Sequence, residues 1–142
     1  MGPAWKIQLS EETMEQKWML LLGRVLLSVI FILSGIQKLT IFNGVAADMA
    51  NRHIPLATVA LAITLIIEIG GGLMVLTGFK ARYAALVIFL WLIPVTLVYH
   101  HFWGVAEAEK QGQIVNFLKN LAIMGGLLIL AYAGPEKTEA KA

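Results

Sequence analysis

Four long apolar runs constrain this chain more than any other feature. Residues 19–36, 56–78, 83–99 and 114–133 are almost free of charge. About 20 residues at 1.5 Å per residue cross the ~30 Å hydrocarbon core of a bilayer. Each run is close to that length. The expectation is therefore an all-α integral membrane protein, a four-helix transmembrane bundle over residues 19–134. Composition agrees: 58% of the 142 residues are hydrophobic and 14% are charged. An ordinary soluble domain is ~45–50% apolar and ~25% charged. Mean hydropathy is +0.76, and the length allows one domain.

The charges within the runs do not forbid insertion. In the second run, the Leu, Ile and Val residues around Glu68 contribute about −4 kcal/mol, against roughly +3 kcal/mol for one central carboxylate. The same sum covers Arg24 in the first run. That first run does not read as a cleaved signal peptide, because Glu11, Glu12 and Glu15 precede it and no A-x-A site follows. Lys6, Lys17, Lys80, Arg82, Lys137 and Lys141 flank the spans on one side, against Lys38, Arg52 and Lys110 on the other. The positive-inside rule then places both termini in the cytoplasm.

The flanking segments are short. Residues 1–18 form an amphipathic stretch in which Trp5 and Trp18 suit the cytoplasmic interface. Residues 43–53 suit a short helix on the outer face, and Pro55 suits the first turn of span two. Residues 104–113 form a polar outer loop, and residues 135–142 a charged cytoplasmic tail.

Several functions are excluded. The chain has no cysteine, which removes disulfide exchange, thiolate zinc sites and cysteine-ligated iron–sulfur clusters. A net charge of +2, with no basic patch among aromatics, argues against nucleic acid. There is no phosphate loop, dinucleotide fingerprint, Ser–His–Asp set or haem-attachment motif. The adjacent His100 and His101 diverge by about 100° on a helix, so no metal site is expected.

Ionisable residues inside a membrane are costly unless they face the bundle interior. Arg24, Ser28, Phe31, Gly35 and Lys38 share one helical stripe; Thr64, Glu68, Gly71, Gly72 and Val75 share another. Asn116, Lys119, Asn120, Ala122, Ile123 and Gly126 share a broader face. Polar groups travelling with small residues mark close helix–helix interfaces, so all three stripes should point inward. Depth estimated from the helical rise puts Arg24 within ~6 Å of the level of Glu68, making Arg24–Glu68 the expected ion pair, as a clamp or as part of a ligand site. Lys119 falls level with Gln37, Lys38, His100 and His101, a cluster without a carboxylate. Lys38 and His101 at helix ends also suit plain snorkelling to the interface. Pro94 should kink span three, and Phe89 and Trp91 suit lipid or packing contacts.

The residues resemble the DoxX family of small four-helix membrane proteins. The likeness rests on Arg24, then Ser34-Gly35-Ile36-Gln37-Lys38-Leu39, and Glu68 with Gly71-Gly72 and Gly78. It continues through Arg82, His100, Phe102, Phe117-Leu118-Lys119-Asn120 and Gly125-Gly126. The resemblance implies a bundle in a bacterial or archaeal cytoplasmic membrane. It also implies Arg24, Lys38, Glu68, His100, Lys119 and Asn120 as ligand-binding residues. The family takes its name from a subunit of a thiosulfate:quinone oxidoreductase, while DoxX-like proteins in animals behave as receptor-assembly chaperones.

Two functions follow as expectations. In the first, the chain is the membrane subunit of a quinone-linked oxidoreductase, binding a quinone or small anion at inward charges, with no covalently bound cofactor or redox centre of its own. A soluble partner subunit would then carry the redox chemistry. In the second, it is a non-enzymatic scaffold whose buried charges only fix the bundle. Small-residue surfaces at Gly71-Gly72 and Ala122–Gly126 also permit a homo-oligomer.

Overall fold

A computed structural model describes residues 14–134. The expected interfacial stretch through residue 13 and the tail 135–142 lie outside the described residues. Among the described residues five helices follow one another: α1 (Met14–Thr40), α2 (Phe42–Asn51), α3 (Ala57–Thr77), α4 (Ala81–Tyr99) and α5 (Glu107–Ala133). No strand occurs among the described residues. Helices α1, α3, α4 and α5 are long and apolar enough to span a bilayer, where backbone polar groups must be satisfied within each segment.

Two boundaries differ from expectation. Helix α1 runs unbroken through Met14–Trp18, so those residues open the span instead of lying in a separate interfacial segment. Helix α5 begins at Glu107, well before residue 114. Glu107 and Glu109 occupy its first turn, where the helix dipole favours negative charge, and much of the expected polar loop is helical. Helix α4 continues through Pro94. Pro55, by contrast, precedes α3: Leu56 sits ahead of Ala57 with φ 50°, and His53 has φ 59°. Left-handed backbone at such residues costs ~1–2 kcal/mol each. Together they turn the chain sharply from α2 back into the bundle.

Helix α3 is not uniform. Its middle, Ile66–Gly71, is a π-helical segment between α-helical stretches Ala57–Leu65 and Gly72–Thr77. Glu68 lies within it, followed by Gly70, Gly71 and Gly72.

The helices are in contact in the order α1–α3–α4–α5, with a thinner α5–α1 contact closing the bundle. Glycines set the closest approach. A Cβ on Gly35 would stand 2.5 Å from Ile69 Cγ1, and one on Gly72 would stand 2.8 Å from Ile32 Cγ1. These contacts lock the antiparallel register of α1 and α3. Gly71 against Ile88 fits α4 onto the π segment, since a Cβ there would meet Ile88 at 3.1 Å. The main core is a cluster of Phe31, Val75, Ala84, Ala85, Ile88, Leu92, Met124, Leu127, Leu130 and Ala131. A second, smaller cluster (Met49, Leu61 and Leu65) seats α2 on the start of α3. Large apolar side chains such as Leu22, Leu26, Leu33, Leu90 and Ile129 are exposed around the spans. Such a belt suits lipid rather than water.

Gly35→Val should destabilise the bundle by about 1–3 kcal/mol through overpacking, whereas Gly125→Ala, with nothing within 4 Å of its Cβ, should change little. Unfolding in mixed micelles of rising sodium dodecyl sulfate, followed by helicity, checks both. Equal midpoints for Gly35→Val and wild type would refute the close-approach account.

Candidate functional site

The π segment turns Glu68 toward α1, where its carboxylate is almost fully buried. Lys38, near the end of α1, reaches it: Nζ lies 2.9 Å from Oε1 and 3.0 Å from Oε2. Ser34, one turn before Lys38, donates from Oγ to Glu68 Oε1 at 3.2 Å and accepts from Lys38 Nζ. The three side chains form a closed polar network around one buried carboxylate.

The expected Arg24–Glu68 pair is therefore replaced by Lys38–Glu68. The reason lies in register. Gly35 meets Glu68 and Ile69 while Gly72 meets Phe31 and Ile32, which puts Arg24 level with the far end of α3. That end is about 16 Å from Glu68 at the helical rise, beyond an arginine's reach. Arg24 Nε is buried without a hydrogen-bond partner, well away from the carboxylate. Lys38, on the inward stripe but also suited to snorkelling, turns inward because a buried carboxylate in hydrocarbon needs a cation.

The other expected residues divide. Asn120 is buried and donates from Nδ2 to Thr96 Oγ1 at 3.0 Å, tying α5 to α4. Lys119 is exposed and donates to Asn116 Oδ1 at 3.1 Å on its own helix. The inward stripe of α5 is narrower than expected, running through Asn120, Met124, Leu127 and Leu130–Ala131; Lys119 and Ala122 fall outside it. His100 Nδ1 lies 3.2 Å from Gln113 Oε1, whereas His101 Nδ1 meets the Val98 carbonyl at 3.1 Å. Beside them, Phe102, Trp103 and Phe117 pack edge to face with ring centroids 5.2–6.1 Å apart.

A cavity of about 480 Å3 extends from the Lys38–Glu68 pair toward the end of the bundle that carries α2. Such a volume is ordinary for a small-molecule site. Lys38 and Glu68 stand at its polar end. Its walls are mainly apolar, from Val45 and Met49 of α2, Leu61 and Thr64 of α3, and Trp91 and Pro94 of α4. Tyr99 and His100 add polar atoms at the end of α4. Of the six residues expected at the site, the structure brings Lys38, Glu68 and His100 to this cavity. Arg24, Lys119 and Asn120 stand elsewhere. Trp91, read from the sequence as a lipid or packing residue, lines the cavity, and Phe89 lines a separate apolar groove between α4 and α5.

Residues 19–101 match the DoxX family profile. The chain belongs to the DoxX family. It is 29% identical over 117 residues to inner membrane protein YphA of Escherichia coli, covering 82% of this chain and 84% of the relative. Inner membrane protein YqjF of the same organism is 33% identical over 115 residues, 81% of this chain and 83% of the relative. The similarity to the Surfeit locus protein 4 homolog of Schizosaccharomyces pombe is shorter, 36% over 66 residues, which is 45% of this chain and 22% of that one. No solved structure is significantly similar. With four long apolar spans and inner-membrane relatives, the chain is a multi-pass membrane protein.

Removing one partner of a buried pair strands a charge and costs about 3–5 kcal/mol, while replacing both with apolar residues is near neutral. Lys38→Met alone should therefore lower unfolding stability in detergent strongly, and the double variant Lys38→Met with Glu68→Leu should recover most of the loss. Equal losses in the single and double variants would refute the pairing.

Proposed function

We propose that this protein binds a quinone-type lipophile at the Lys38–Glu68 end of its cavity, as the membrane subunit of a quinone-linked oxidoreductase. One observation carries the reading: a hydrogen-bonding charge pair closes one end of a mainly apolar chamber among the spans. A flat, apolar ring with polar carbonyls matches that combination. Lys38 supplies hydrogens to a carbonyl oxygen, with Ser34 as the partner it gives up. Trp91 offers an aromatic face for stacking, and His100 a further polar contact. A small anion fits less well, because Glu68 already neutralises Lys38. Electrons would come from a partner subunit. The bacterial inner membrane is the proposed setting, supported by the two Escherichia coli relatives, with both termini in the cytoplasm on the lysine and arginine bias.

A second reading, a non-enzymatic assembly scaffold, draws on the same network. Lys38 already satisfies Glu68 and Ser34, so the three could act only to pin α1 to α3. The two readings part on decylubiquinone, a quinone with a short tail. In nanodiscs, quenching of tryptophan emission should show saturable binding by the wild type. The doubly apolar variant at Lys38 and Glu68 should weaken that binding about tenfold, or ~1.4 kcal/mol, while remaining folded. Unchanged binding by that folded variant, or none by the wild type, would overturn the quinone reading.

A further inference from the structure

The cavity has two sides on which a ligand could arrive, and they are built differently. Toward the end of the bundle, α2 lies across it. Met49 packs with Leu61 and Leu65, and Val45 and Met49 form part of the cavity wall. Past them, Arg52 holds α2 to α4: its guanidinium carbon lies 4.4 Å from the centre of the Tyr99 ring. Asp48 fixes that guanidinium through an ion pair of 3.0 Å, and also interacts with the Tyr99 side chain. The guanidinium thus sits on an aromatic face beside its own counterion, a contact that ties α2 to the end of α4.

Toward the bilayer the wall is incomplete. Helices α3 and α4 meet at the π segment and along Gly72–Thr77, but nowhere do Ala57–Leu65 and α4 come within 8 Å, Cα to Cα. The two helices splay apart above Glu68 and leave a cleft. Its lining is apolar and outward-facing: Ile63 is 52% exposed and Val98 36%, and Pro94 is exposed between them. Ile63 lies six residues into α3 and Pro94 five residues from the end of α4, roughly 8–9 Å inside the span. At that depth the cleft faces acyl chains rather than headgroups.

We propose that the cavity is filled sideways, from one leaflet of the bilayer, by a membrane-resident amphiphile. Its polar head passes between α3 and α4 to Lys38 and Glu68, and its hydrocarbon tail stays in the cleft among the lipids. This rests on the reading of the cavity as a lipophile site, and adds to it the route and the requirement for a tail. Ligands confined to water have no comparable path, because α2 and the Arg52–Tyr99 contact close the other side.

The test uses the full chain with Trp5, Trp18 and Trp103 replaced by phenylalanine, so that Trp91 alone reports from the cavity wall. In vesicles of brominated phosphatidylcholine, the lipid tails should quench Trp91 strongly, and aqueous acrylamide only weakly. Filling the cleft with Ile63→Phe and Val98→Phe, both at exposed positions that fold without repacking the core, should at least halve the lipid quenching. It should also slow the rate at which decylubiquinone quenches Trp91 in nanodiscs by about tenfold, a barrier change of ~1.4 kcal/mol. Arg52→Ala, which releases α2, should leave both readings unchanged. Lipid quenching untouched by the filled cleft, or quinone arrival speeded by Arg52→Ala, would overturn the lateral route. Cleft-dependent lipid quenching without any effect of decylubiquinone would instead uphold the route and remove the quinone reading.

Discussion

A carboxylate inside hydrocarbon must have a cation, and the position of Glu68 obliges the rest of the bundle to supply one. Lys38 can serve only if α1 and α3 run antiparallel in one register. Gly35 and Gly72 permit that register by letting the two backbones approach where any side chain would collide. Ser34 completes the network from the preceding turn of the same helix. Charge, hydrogen bonding and close packing thus impose the same alignment. That agreement across levels distinguishes one native arrangement from the sliding alternatives open to four apolar helices.

The π segment links this alignment to the cavity. A π turn widens a helix locally and often marks a functional site. Here it carries Glu68 toward α1 while Gly71 accepts Ile88 from α4, so α3 is held by both neighbours at one level. Beyond that level α4 leans away and α2 fills only part of the space. The chamber is what remains when three helices are fastened at mid-depth and released above. Asn120 and Thr96 hold α5 against the far side of α4, which leaves the chamber to the first four helices.

Much of this was legible from the sequence. Hydropathy found all four spans, because a bilayer imposes a length no soluble core requires. Helical spacing placed Ser28, Phe31, Gly35, Thr64, Glu68 and Asn120 on inward faces, and all are buried. The partner of Glu68 was not legible from depth estimates alone. Those estimates took span ends from apolar runs, whereas the register is fixed by glycine contacts between helices distant in sequence. Lys119 misled because a broad polar face does not reveal which edge meets a neighbour; its bond to Asn116 satisfies it locally. The π segment left one signal, a buried acid followed at once by Gly70-Gly71-Gly72. The gap between α3 and α4 left none, since it depends on how two helices diverge in space.

The Lys38–Glu68 pair has one further consequence. Its two charges are opposite and lie 2.9 Å apart, at nearly the same depth. A membrane potential does about 2.3 kcal/mol of work per unit charge for each 100 mV crossed. A pair that sums to zero experiences almost no net force from that field, and an uncharged ligand adds none. On the proposed reading, occupancy of the chamber would be indifferent to whether the membrane is energised, and would answer to how much lipophile the surrounding leaflet holds.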